Sequence, residues 1–439
     1  MPSTADTPKV TFQLTAHAER LEVRASALGG EGKAETALPP RELLDRLRES
    51  NSTHIPSSAL KLIGKTLYQC LLMGDVANLA ADVLQDGARS GQPVQFELRF
   101  DADQISLAQY PWEMITNDLD QFLVRDGLVD LTRYLNYPQP LPSFKVKFHE
   151  MLLLHVAAQP AKLPPTTSIE LTLAKIETLR PATFDQFMRK LLIERLPLWG
   201  MQFDGPGALL PQCPQCETVS LLKIPTCRQC GASLAAAKLV SVLAFERNGE
   251  VDWVPMREFG AVLYNAKVQL AVLLASETAW VENQLIFNGL TPSLLLAGVP
   301  AAVGMQYPVL SDFATSFANI FYTTLLKQND VLVALRTARS MNMRGAWYSP
   351  VLYLRHQKTV KDEPLKPTYH TRSIDTAVPA HVQAGLDFLV RLWIRRPETK
   401  PLTEVELRTE LDVPASVPVR TQQIETDIKF EPIKEPLEF

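Results

Sequence analysis

Four of the five cysteines in this 439-residue chain fall in one stretch. Cys213 and Cys216 stand in Cys-Pro-Gln-Cys, and ten residues further on Cys227 and Cys230 stand in Cys-Arg-Gln-Cys, with Gly231 following. Two thiolate pairs, each presented by a tight turn, can ligate a single ion. Four-thiolate ligation with no open position is the pattern of a structural zinc, which holds together a loop too small to have its own core. Disulfides or free thiols are the alternatives, but paired C-x2-C knuckles suit a metal better than a disulfide framework. Redox chemistry would need one such pair opening a helix, and here two pairs sit in a Pro-rich loop. Lys223 and Arg228 give this ribbon only a thin basic patch, so it does not read as a nucleic-acid module. Just upstream, Gly205-Pro206-Gly207 is too short for a phosphate cradle and lacks the lysine of a P-loop.

Composition narrows the class of molecule. At 46% hydrophobic the chain can bury one large core and a smaller module. A net charge of -4 argues against general affinity for nucleic acid or acidic membrane. The first residues show no basic region leading into an apolar run, and no apolar run reaches the ~18 residues of a spanning helix. Cys70 sits in an apolar helical pattern as plain core. A cytoplasmic, reducing setting is the expectation.

The elements that must position these residues follow from periodicity. Val10 to Ser26 alternates as a hairpin, Arg41 to Arg48 and Ser57 to Ala88 read as helices, and Val94 to Phe100 as a strand. From Phe148 short apolar strands alternate with amphipathic helices, the rhythm of an α/β fold with a largely parallel sheet. Strands are expected over Met151–Ala157, Leu198–Phe203 and Val268–Leu274, and helices over Ser168–Leu179 and Thr183–Glu194. Leu239–Arg247 and Glu250–Val254 form a hairpin across Asn248-Gly249. The run Leu294–Pro308 ends in a strand, and Phe313, Phe317, Ile320, Phe321 and Leu325 mark the apolar face of the next helix. Trp112-Glu113 reads as a core aromatic beside a strand cap, whereas spacing leaves Arg336 and Arg339 open between surface and cleft.

Several segments resemble the CHAT family of caspase-like domains. They are Pro111-Trp-Glu, Phe122-Leu and Arg133-Tyr-Leu, then Ala297-Gly-Val-Pro-Ala-Ala-Val-Gly-Met-Gln-Tyr-Pro308, Phe317, Phe321-Tyr322, Ala334-Leu-Arg336, Ala338-Arg339 and Trp347-Tyr-Ser-Pro-Val-Leu352. The resemblance runs from about Ala59 to Leu354. It implies a cysteine peptidase site in which an imidazole turns a thiol into a nucleophilic thiolate. The family's His-Phe-x-Gly-His-Gly falls on Gln202-Phe-Asp-Gly-Pro-Gly207, so the catalytic histidine becomes Pro206. Its Leu-x-Ala-Cys-x-Thr falls on Leu273-Leu-Ala-Ser-Glu-Thr278, so the nucleophile becomes Ser276. Neither Gln202 nor Pro206 can move a proton near neutral pH, and a serine hydroxyl needs a stronger base than a thiol does. Of the histidines, His149 and His155 flank the first core strand.

The resulting expectation is a caspase-like α/β fold with a largely parallel sheet, a zinc-ribbon insertion over 208–234 and a β-leaning carboxy-terminal appendage. Residues 1–56 form an amino-terminal hairpin and linker, 57–356 the CHAT domain, and 357–439 a linker and appendage, in which Val378–Gly385 and Phe388–Ile394 are either a strand pair or a helix, with Gly385 and the β-branched content favouring strands, and with a mobile end from Arg420. Its function is that of a pseudo-protease that binds a peptide or protein partner, with neither nucleic acid nor membrane. The family setting implies a bacterial signalling or defence complex. Hydrolysis through Ser276 or other groups is the alternative.

Overall fold

The structure, a computed structural model, describes residues 7–40, 42, 55–137, 152–158, 176–274, 287–307, 309–328, 330–341, 346–357, 375–377 and 391–393. The chain divides into two units, Met1–Thr359 and Val360–Phe439.

The first unit is built on one sheet. Its early strands are β1 (Lys9–His17), β2 (Arg20–Ala27), β3 (Gly30–Ala37), β4 (Val94–Asp101) and β5 (Val129–Tyr137). Val10, Phe12, Leu14, Leu21, Val23 and Ala25 alternate inward as expected of strands with one buried face. β1 also lies parallel to β4, so the amino-terminal hairpin is a working edge of the main sheet. Between β3 and β4 run α1 (Ser57–Leu71) and α2 (Gly74–Ser90). The single helix expected over 57–88 is thus two, because Leu72 and Met73 leave the helical region.

The later strands are β6 (Leu152–Ala157), β7 (Ile176–Leu179), β8 (Leu198–Asp204), β12 (Leu270–Leu274), β13 (Ala301–Met305) and β14 (Pro350–Gln357). β9 (Gly207–Gln212), β10 (Lys238–Arg247) and β11 (Glu250–Pro255) form a separate antiparallel sheet in the order β11-β10-β9. The helices are α3 (Phe184–Met188), which continues into a π-helical turn at Arg189–Ile193, then α4 (Met256–Asn265), α5 (Phe287–Leu296), α6 (Ser311–Gln328) and α7 (Val331–Ser340). Two sequence expectations are corrected. Ile176–Leu179, placed in a helix, is an edge strand parallel to β6, because pairing with Leu153–Val156 outweighs the local spacing; residues 168–175 lie outside the described residues. α4 was not foreseen, although Met256, Phe259, Val262 and Leu263 bury one face at helical spacing. The Arg41–Arg48 helix lies outside the described residues except at position 42.

The main sheet runs in the order β3-β2-β1-β4-β5-β14-β13-β12-β8-β6-β7. Its neighbours are parallel except at β3/β2, β2/β1 and β13/β14. Two parallel blocks, β1-β4-β5-β14 and β13-β12-β8-β6-β7, therefore meet head to tail along the β13/β14 seam. This is the α/β architecture with a largely parallel sheet that the sequence leads one to expect.

The quoted motifs converge on that seam. Arg133 on β5 is fully buried, and its guanidinium donates to the Glu113 carboxylate and the Ala108 carbonyl, to the Tyr110 carbonyl (3.2 Å), to Gln306 Oε1 just past β13 (2.9 Å) and to the Tyr353 hydroxyl on β14 (3.1 Å). Arg339 on α7, 2% exposed, donates to the Pro350 carbonyl and lies 3.6 Å from the other oxygen of Glu113. Burial pushes Arg339 down to about 10. Burial works against the charge of Arg133 too, but Glu113 and Tyr353 keep its pKa above the ordinary value. Trp112 is buried as expected, donating to the Leu107 carbonyl at 2.9 Å, whereas Glu113 serves as the shared counter-ion of two arginines instead of a strand cap. The choice that spacing left open is thus resolved: Arg339 is core, and Arg336 pairs with Asp130.

In the second unit, β15 (Asp375–Ala377) pairs antiparallel with β16 (Arg391–Trp393). The strand leaning expected over Phe388–Ile394 is realised at Arg391–Trp393; Val378–Gly385 and the segment from Arg420 lie outside the described residues.

Replacing Glu113 by Gln leaves two buried guanidinium groups without their carboxylate. Breaking a buried pair from one side costs about 3–5 kcal/mol, so urea unfolding of Glu113→Gln should show a clearly lower midpoint with an unchanged slope.

Candidate functional site

The metal centre forms because the chain makes the same knuckle twice. In the first, Glu217 N–H donates to the Cys213 carbonyl (3.0 Å) and Cys213 N–H to the Thr218 carbonyl (3.0 Å). In the second, Gly231 N–H donates to the Cys227 carbonyl (2.9 Å) and Cys227 N–H to the Ala232 carbonyl (2.8 Å). The residue after each second cysteine has positive φ, 57° at Glu217 and 75° at Gly231. Glycine suits this backbone best, which is why Gly231 follows Cys230. The four Sγ atoms lie within 4.8 Å of one another, and the Cys213–Cys230 and Cys216–Cys227 pairs are 3.5 Å apart. An ion with metal–sulfur bonds of about 2.3 Å in tetrahedral geometry sets its sulfurs about 3.8 Å apart. The set therefore fits one metal ion, and no disulfide joins these residues. The Thr218 hydroxyl, 3.2 Å from Cys216 Sγ, holds that thiol down at about 6. The knuckles have almost no core of their own: the small cluster here is Cys213, Cys227 and Leu234. Two of those three belong to the four-cysteine set that could hold an ion, and a bound ion would hold the turns together.

The ribbon leaves the main sheet at the position where the family resemblance expects a catalytic imidazole. β8 ends at Asp204, and after only Gly205 and Pro206 the chain enters β9. Every residue from Leu198 to Ala208 is buried. The Pro206 carbonyl accepts from Ala244 N–H on β10 at 2.9 Å, continuing the β9/β10 ladder back to this residue. A Cβ on Gly205 would come within 2.9 Å of Ala158 Cβ and of the Phe203 ring. Phe245 of β10 packs on Phe203 of β8 with centroids 5.4 Å apart, and Phe259, Phe184 and Phe187 complete the aromatic cluster. These rings press the small sheet over the end of β8.

β12 ends beside this turn, with Leu274 in register with Asp204. Ser276 lies outside the described residues, as do Ala275, Glu277 and Thr278. Among the histidines, His155 on β6 is 2% exposed, with Nε2 3.9 Å from Asp204 Oδ2. His149 lies outside the described residues. The pairing of His155 with Asp204 was not anticipated; its signal was the aspartate inside Gln202-Phe-Asp, two residues on from the in-register Gln202. No described helix is long and apolar enough to cross a membrane.

Metal analysis of the purified chain should give about one equivalent per chain. Cys216→Ser or Cys227→Ser should lose it and expose 213–234 to proteolysis, while the circular dichroism of the main sheet persists.

Comparison with known proteins adds the following. The chain is similar in structure to a crystal structure of the Saccharomyces cerevisiae separase–securin complex, with 11% identity and a TM-score of 0.42, covering 80% of this chain and 30% of that one. A second crystal structure of that complex gives 10% identity and a TM-score of 0.38 over the same shares. This chain thus spans less than a third of the chains it matches. No curated relative matches it. Residues 231–370 match the CHAT domain family, a span that includes Ser276 and the motifs from Ala297 to Leu352 but begins after Pro206. Over residues 231–370 the chain is thus similar to CHAT domains.

Proposed function

We propose that this CHAT domain is a catalytically degenerate member of a peptidase-related family, a pseudo-protease that binds a peptide or protein partner. The observation that carries the reading is the state of Pro206. The place of the imidazole is taken by a residue without a titratable group, buried, with its carbonyl used in the β9/β10 ladder. A general base must reach the proton it takes, and no side chain at this position can do so. The surface at the carboxyl ends of β8 and β12 then serves recognition, since ligands of parallel α/β sheets collect at the carboxyl ends of strands. The metal is zinc: four thiolates with no open position give the ion a structural task. A cytoplasmic setting, as part of a bacterial signalling or defence assembly, completes the proposal.

A second reading, hydrolysis through Ser276 with another base, draws on the His155–Asp204 contact. One experiment separates the two. Incubation of the full chain with a broad peptide library should yield bound peptides and no cleavage above background; cleavage that disappears in Ser276→Ala would overturn the pseudo-protease reading.

A further inference from the structure

The face of the sheet that carries Gln202 holds more polar groups than its packing satisfies. His155 on β6 is in register with Gln202 on β8, and on its other side with Thr178 on β7. In-register residues of parallel neighbours project from the same face, and so does Asp204, two residues beyond Gln202. Gln202 is 0% exposed, yet among the described residues neither its amide oxygen nor its amide nitrogen has a hydrogen-bond partner; Nε2 of His155 has none there either. Buried polar atoms are seldom left in this state, and those that are call for an explanation. On the far side the track is closed by apolar Val272, the β12 partner of Gln202. Towards the sheet edge, Thr178 is exposed whereas His155 between it and Gln202 is buried. A line of polar positions therefore leads from the β7 edge inward to an amide with a vacant donor and a vacant acceptor.

The chemistry of that amide selects its complement. A primary carboxamide offers one acceptor and two donors, and so meets the N–H and the carbonyl of Gln202 together. A carboxylate only accepts, and it would lie beside the like charge of Asp204. An ammonium only donates and leaves the Gln202 N–H unused. We propose that His155, Gln202 and Asp204 form a subsite for a side-chain carboxamide, that of an Asn or Gln residue in a bound peptide. This rests on the peptide-binding reading above and names the side chain that the module selects.

The test uses the full chain labelled with 15N in its histidine rings, titrated with three probes: N-acetylglutamine methylamide, N-acetylglutamate methylamide and N-acetyllysine methylamide. The His155 Nε2 resonance should move saturably with the glutamine probe alone. Gln202→Met should weaken that binding at least tenfold, and Thr178→Trp, an exposed change that leaves the core untouched, should block it as well. No movement with the glutamine probe, equal movement with the glutamate probe, or binding that survives both substitutions would overturn the subsite. If library peptides bind without regard to Asn or Gln, the subsite alone falls; if none binds, the binding-module reading falls with it.

Discussion

The Arg133–Glu113–Arg339 network is the constraint on which the rest of the first unit depends. A sheet made of two parallel blocks that meet head to tail has no repeating unit across its junction, so the junction must be specified by side chains. Here one carboxylate, from the short helical turn Trp112–Met114, faces guanidinium groups from β5 and α7. Gln306 and Tyr353 extend the network to the ends of β13 and β14. Charges in such surroundings stabilise little in total, since desolvation offsets most of their attraction, but they penalise any arrangement that separates them. A slip of β14 against β5 would carry Tyr353 away from Arg133 and leave a buried cation without partners. On this view the network sets the register of the seam, and the seam fixes where β13, β12 and β8 end.

The metal centre depends on that placement only at its root. β9 and β10 are tied to β8 by the aromatic cluster around Phe245 and by the Pro206–Ala244 hydrogen bond. Beyond Gln212 the knuckles rely on sulfur ligation. A proline is well suited to Pro206: it needs no N–H donor, its φ is preset, and its carbonyl still completes the ladder. That only two residues separate β8 from β9 has a chemical consequence as well as a structural one. The carboxyl end of β8 becomes a rigid, covered surface from which a side chain cannot swing towards a substrate.

Much of this could be read from the residues. The two C-x2-C pairs announced a ligand set because each short turn can be recognised without knowing the fold. The buried strands from Leu152 to Met305 were legible as apolar runs, and the Gly-Met-Gln-Tyr-Pro segment falls within the span that matches the CHAT family. What escaped was non-local. Nothing near Ile176–Leu179 says that β6 will recruit it as an edge strand, and α4 was hidden between two strands with a similar share of apolar residues. Glu113 looked like a strand cap because its two arginines lie 20 and 226 residues away along the chain. For the same reason the spacing of Arg336 and Arg339 could not separate surface from core: one turn of α7 apart, they meet Asp130 and Glu113 respectively.

The distribution of satisfied and unsatisfied groups bears on what the molecule retains. At the seam, each carboxylate and guanidinium group has at least one partner, although Glu113 Oε1, Arg133 Nε and Arg339 Nε make no hydrogen bond among the described residues. At the covered end of β6 and β8, Gln202 keeps a buried amide that pairs with nothing among the described residues, and a leucine there would remove a desolvation penalty of about 1–3 kcal/mol. Sequences that specify a fold tend to break local rules where function demands it. An amide kept at that cost, two strands in from the β7 edge, is better explained by a ligand group that completes it than by packing. Position 206 thus carries a side chain that cannot titrate, close to the buried polar side chains of His155 and Gln202.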